Sequence, residues 1–178
     1  MDKQTEEILQ KIEEAEYVLV GLGQEFDMEF FLQSREDYRR IREQLQQQNV
    51  LWLLPYVEEQ FRRQYLPEME AEIEKGLQKL AKVLEKKSYF VVSSSLNHKL
   101  AEVPWKKMLL KKERFVAPCG DWTKKQCPDG CEEGIQTVTE ADEEQLQESF
   151  KKLQTNGFSV PDLGKCPKCG KKLVLNNV

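Results

Sequence analysis

Apolar residues near the amino terminus recur at Ile8, Ile12 and Ala15, so residues 5 to 15 read as one face of an amphipathic helix. Directly after it, Tyr17-Val18-Leu19-Val20-Gly21 is a short unbroken apolar run. That pattern predicts a strand buried on both faces of a parallel sheet. Residues 26 to 48 are charged and Gln-rich with scattered aromatics, and read as helical; residues 50 to 65 predict another helix, with Pro55 early in it. Over residues 68 to 86 the stripe Met69, Ile73, Leu77, Leu80, Leu84 predicts the clearest helix of the chain, with Pro67 at its start. Tyr89-Phe90-Val91-Val92 then predicts a second buried strand, a short helix running to about Val103 follows, and Arg114-Phe115-Val116-Ala117 predicts a weaker third strand.

Helix, buried strand and glycine turn make an α/β opening. In an open parallel sheet, ligands bind outside the carboxyl ends of the strands. The candidate loops are therefore Gly21–Glu25, Ser93–His98 and Pro118–Asp121. Beyond about residue 121 the texture changes: Cys, Gly, Pro and Lys concentrate around a helix over 140 to 154. Thr139 is its expected N-cap, Asp142 stands three residues on, and Leu146, Phe150 and Leu153 form its apolar side. Leu173-Val174-Leu175 reads as an extra ribbon strand. The expected domains are thus 1–120 and 121–178.

Composition narrows the function classes. The 178 residues carry 27 Lys+Arg against 31 Asp+Glu, a net charge of −4, which argues against a dedicated nucleic-acid partner. The densest apolar run, Val50-Leu51-Trp52-Leu53-Leu54, is far shorter than the roughly 18 residues that span a bilayer, so no membrane partner is expected. The start, MDKQTEEILQ, is acidic and polar, unlike a secretory signal, which makes a cytoplasmic location the expectation. Reduced thiols follow from that setting, and the five cysteines then point to metal before disulfides. With His98 the only histidine, chemistry that needs two imidazoles is excluded.

Cys127-Pro-Asp-Gly-Cys131 and Cys166-Pro-Lys-Cys169-Gly170 form two close pairs separated by residues 132 to 165. Four thiolates at such spacings suit tetrahedral zinc held in two tight turns, and four protein ligands leave no open position for catalysis. Lys165, Lys168, Lys171 and Lys172 surround the second pair and would ease its negative charge. Four ordinary cysteines and an iron–sulfur cluster are the alternatives.

The order of these features resembles the sirtuin family, the NAD-dependent protein deacylases and ADP-ribosyltransferases. A Val-Leu-Val-Gly-x-Gly turn, a YFVVSSS strand and loop, a strand ending in Cys-Gly, and two cysteine pairs carry the resemblance over roughly residues 8 to 175. FVAPCGDW and the widely separated cysteine pairs are most similar to the microbial branch linked to macrodomains. The resemblance implies a partial doubly wound, Rossmann-like parallel sheet with a zinc-ribbon module carrying an inserted helix. It implies NAD or ADP-ribose as ligand, with Gly21, Leu22, Gly23 and Gln24 at the phosphates and Ser94, Ser95 and Asn97 at the nicotinamide end. It further implies a protein substrate with a modified side chain.

Several positions depart from the family pattern. Ser95 stands where an Asn is expected and Asn97 where an Asp is expected. Cys119 stands at the His that acts as general base, a position where the macrodomain-linked branch can carry Gln. A thiol serves as a base only if its pKa is lowered. The chain also ends nine residues after Cys169, before the strands that complete the family's sheet. The open sheet edge is therefore expected to be covered by self-association or by a partner chain. Two functions stand: an NAD-dependent protein deacylase or ADP-ribosyltransferase using Cys119, and a catalytically inactive, zinc-stabilised binding module.

Overall fold

The computed structural model describes residues 3–23, 26, 29–95 and 114–177. The chain is a mixed α/β protein whose described residues form two three-stranded sheets, one parallel and one antiparallel. Helix α1 (Lys3–Glu14) leads into β1 (Tyr17–Leu22). Two helices follow, α2 (Glu29–Gln33) and α3 (Glu36–Gln47), within the stretch read as helical; the break falls at Ser34-Arg35. There Asp37 takes the Arg35 guanidinium on both carboxylate oxygens and also accepts the Tyr38 N–H, holding the first turn of α3. A single 3₁₀ turn (Leu51–Leu53) runs into α4 (Leu54–Tyr65), and α5 (Pro67–Leu84) starts on Pro67 as expected.

The first sheet has the order β1-β2-β3, with β2 at Ser88–Ser93 and β3 at Phe115–Val116, all parallel. Helix α5 covers one face: Leu77, Ala81 and Leu84 pack under Leu22, Tyr89 and Val91, with Val18, Val20 and Ile73 alongside. Among the described residues no helix packs on the other face, whereas the sequence predicts strands buried on both sides. Tyr17 and Leu19 are 73% and 75% exposed, and Phe90 is also exposed. An unbroken apolar run signals burial, but a strand turns alternate residues to opposite faces, and among the described residues only one face has a helix packed on it.

The second sheet has the order β5-β4-β6, built from β4 (Gly120–Gln126), β5 (Gln136–Thr137) and β6 (Val174–Asn177). Strand β4 carries no clear sequence signal, because GDWTKKQ lacks clear apolar alternation. A register shift between Asp121 and Lys125 breaks its period, yet Trp122 and Lys125 are both buried. Between β5 and β6 lies α6 (Glu140–Gln154). It opens with the expected capping box: Thr139 Oγ1 accepts the Asp142 N–H, and the Asp142 carboxylate accepts the Thr139 N–H.

The larger hydrophobic core draws on both sides of residue 120. Tyr38, Ile41 and Leu45 of α3 and Tyr56, Val57 and Phe61 of α4 pack with Trp122, Leu146, Phe150, Leu153, Leu163 and Leu175. Edge-to-face ring pairs join the two halves, Tyr56 with Trp122 and Phe61 with Phe150. Polar contacts follow the same seam. Arg40 of α3 donates to the Leu153 and Gln154 carbonyls and to Asn156 at the end of α6, where orphan carbonyls favour a cation. No helix among the described residues is long and apolar enough to cross a membrane.

Candidate metal centre

Four cysteine sulfurs meet at one point. Cys127 and Cys131 lie between β4 and β5, Cys166 and Cys169 between α6 and β6, and their Sγ atoms all lie within 4.8 Å of one another. Cys127 Sγ and Cys169 Sγ are 3.5 Å apart. A tetrahedral ion with metal–sulfur bonds of about 2.3 Å requires sulfur–sulfur edges of about 3.8 Å, whereas a disulfide requires about 2.05 Å. The cluster matches the first spacing, and all four cysteines are free thiols. Zinc therefore fits this donor set.

Local chain geometry makes the two turns. In the first, the Gly130 N–H donates to the Cys127 carbonyl at 3.0 Å; in the second, the Gly170 N–H donates to the Cys166 carbonyl at 2.9 Å. The second is closed further by Cys166 N–H to Lys171 C=O at 2.8 Å and by the Lys165–Lys172 bridge. Behind the first, Gly134 is buried against Cys127, and a Cβ at residue 134 would stand 2.5 Å from the Cys127 Cβ. A side chain at 134 would thus push Cys127 out of the cluster, a constraint that the cysteine spacing does not reveal.

Lysines around the site are themselves paired. Two of the four lysines have carboxylate partners on the opposite turn: Lys171 pairs with Asp129 at 2.6 Å and Lys168 with Glu133 at 3.3 Å. They therefore staple one turn to the other. Lys171 also feels the sulfurs, since Asp129 first and then Cys169 and Cys127 raise its pKa.

The thiols are electrostatically unequal. Burial pushes the Cys127 thiol up, but the N–H groups of Asp129 and Cys131 and the nearby sulfurs outweigh it, leaving it lowered to about 7. Burial and the surrounding sulfurs push Cys131 up to about 12. At Cys169 the Lys171 N–H favours the thiolate, yet the Cys127 sulfur, burial and Cys166 together leave the pKa raised. One thiolate forms near neutrality and opposes the next, so four together need a cation among them. Cys127 and Cys166 are part of the larger core, which ties such an ion to the packing of α3, α4 and α6.

The positions expected at a nucleotide site lie at the parallel sheet. Register pairs Gly21 with Val92 and Leu22 with Ser93, and Val92 with Val116, which brings the ends of all three strands to one edge. The Ser94 N–H donates to the Leu22 carbonyl at 2.9 Å, so the Gly21–Gly23 and Ser93–Ser95 segments touch. The Leu22 side chain is buried over α5, which leaves only its backbone for a ligand. Ser95 is buried, and its N–H donates to Ser93 Oγ at 3.3 Å. Gln24, Asn97 and His98, together with the expected short helix to Val103, lie outside the described residues.

Cys119 is half-buried in the turn after β3, closed by Gly120 N–H to Ala117 C=O at 3.2 Å, and is not one of the four clustered cysteines. Gly120 has a structural reason of its own. Its φ is +108°, and a Cβ there would stand 2.4 Å from the Asn176 carbonyl oxygen on β6. A shallow groove lined by Tyr17, Leu19, Ser88, Phe90 and Arg114 lies at the opposite, amino-terminal end of the strands. The chain matches no protein-family model and no curated protein sequence.

Proposed function

We propose that the chain is a sirtuin-related, zinc-braced module that binds NAD or ADP-ribose at the carboxyl edge of its parallel sheet. The observation that carries this reading is the register of β1, β2 and β3, which gathers the glycine turn, the serine loop and the Cys119-Gly120 turn at one edge. Backbone N–H groups of Gly21-Leu22-Gly23 would meet the phosphates, since glycine leaves room for a close approach. Ser94 and Ser95, with Asn97, would face the nicotinamide end. Zinc, held by Cys127, Cys131, Cys166 and Cys169, has a structural role: it fixes β4, α6 and β6 against the helical half and leaves no coordination position for substrate.

In an active form, the module would act on a modified protein side chain as a deacylase or ADP-ribosyltransferase, with Cys119 as the group that accepts a proton from a ribose hydroxyl. The reading as a catalytically inactive binding module has an observation in its favour. Ser95, at the position where the family carries Asn, is buried and engaged with Ser93. Calorimetric titration of the zinc-loaded chain with NAD and with ADP-ribose tests the shared part. Saturable binding is expected; no heat with either ligand at millimolar concentration overturns it. Nicotinamide release from NAD with acylated peptides then separates the enzyme, whose turnover Cys119→Ala should abolish, from the binding module, which releases none.

A further inference from the structure

The parallel sheet ends on β1, whose six residues Tyr17–Leu22 contain no charge and no proline. Among the described residues, no strand pairs with its outer edge. Edge strands of stable monomers usually carry a charge, a proline or a bulge that discourages pairing with another chain. This strand carries none, in a chain of which 33% is charged. Its open face is apolar as well: Tyr17 and Leu19 are exposed, and Leu19 stands beside exposed Phe90 in the register of β2.

We infer that β1 pairs antiparallel with β1 of a second copy of this chain, about a two-fold axis at Leu19. Antiparallel partners point to the same face, so the axis sets Leu19 against Leu19, Tyr17 against Gly21, and Val18 against Val20. That register is self-complementary. Gly21 is exposed on the face that carries Tyr17, and nothing lies within 4 Å of where its Cβ would be, so the tyrosine ring of one copy has room over the glycine of the other. An aromatic ring laid across a strand glycine is a stabilising pair. The inner positions place β-branched Val18 and Val20 together beside α5. Because the strand is uncharged, self-pairing brings no like charges into opposition, whereas a charged partner strand would find no complement.

A two-fold contact closes on itself and gives one continuous six-stranded sheet. Six residues from each copy bury less than the roughly 1,000 Å² expected of a stable interface, so the dimer is weak and its population rises with protein concentration. The pairing uses the outer edge of β1 and shares Gly21 with the proposed phosphate-binding turn, so its test is run without nucleotide.

Sedimentation of the zinc-loaded full chain over a concentration series tests it. The expected result is a monomer–dimer equilibrium in which Leu19→Lys raises the Kd at least about tenfold, because it sets two ammonium groups opposite each other. Leu19 is 75% exposed, so the change should leave the fold intact, which far-UV circular dichroism checks. Leu19→Cys gives a second reading: paired Cα atoms lie about 4.5 or 5.5 Å apart, within disulfide range, so oxidised glutathione should link the copies where the unsubstituted chain stays unlinked. A monomer throughout the series, a dimer indifferent to Leu19→Lys, or failure of Leu19→Cys to cross-link would each overturn the inference.

Discussion

At the scale of single residues, the site rests on positions that carry no metal. Gly134 lets the first cysteine turn close, because its absent side chain leaves the space that Cys127 fills. Gly134→Ala should therefore lower zinc affinity without removing a ligand. Competition with a chromophoric chelator should show a loss of about tenfold or more, as for other residues that orient metal ligands. Asp142 is a second such residue. Its carboxylate caps α6 and pairs with the buried Lys125 ammonium on β4 at 2.8 Å. Burial raises the Asp142 pKa, but Lys125 and Thr139 together lower it below its ordinary value. A carboxyl depressed in the folded state contributes stability that is complete above its unfolded pKa of about 3.9 and is lost as pH falls toward the folded value. Denaturant midpoints should accordingly drop below about pH 4. Asp142→Asn should flatten that drop and cost about 3 kcal/mol at neutral pH, since it strands a buried cation.

At the scale of elements, the joint between α4 and α5 is held by buried charge. Arg62 meets Glu59 at 3.0 Å and Glu70 at 3.3 Å, and Arg63 reaches Glu59 at 2.6 Å. Arg62, Glu59 and Glu70 are almost fully buried, so the network fixes the angle at which two helices separated only by Leu66 leave each other. Removing one member of a buried ion pair costs more than forming the pair gains. Arg62→Ala should thus destabilise the fold by about 3–5 kcal/mol in urea titrations, while Arg42→Ala, whose partner Glu29 is half-exposed, should change stability by less than about 1 kcal/mol. The cysteine pairs and the α6 cap were legible in the sequence because each is defined by short spacing. This network was not, because nothing in EEQFRR or PEMEAE marks which charges are buried until α4 and α5 are packed against their neighbours.

At the scale of the whole molecule, the cysteine cluster and the core are one system. The core that contains Cys127 and Cys166 also contains Tyr38, Tyr56 and Phe61 from the helical half. Stripping the ion with a strong chelator should loosen both halves, since binding energy of a structural metal is folding energy. Near-UV circular dichroism should report it through the Tyr56–Trp122 pair, and restoring zinc should restore the signal. Cutting the chain at residue 120 should leave neither piece stably folded, because each would expose half of the shared core. Two pieces that separately melt cooperatively would contradict this. The boundary expected there follows a change in composition, and composition does not record which surfaces pack together.

The sequence alone determined the elements whose signals are local: the apolar stripe of α5, the paired runs of β1 and β2, the Thr139–Asp142 cap, and two turns that present paired thiols. Period, capping and ligand spacing act over a few residues, so they survive in one dimension. Tertiary structure alone decided that Tyr17, Leu19 and Phe90 are exposed on the face away from α5 and that one core runs through both halves. It also decided that Lys168 and Lys171 bind carboxylates and that Gly134 lies against Cys127. Each is a contact between segments whose separate patterns say that a surface is apolar, charged or small, and leave its partner unspecified.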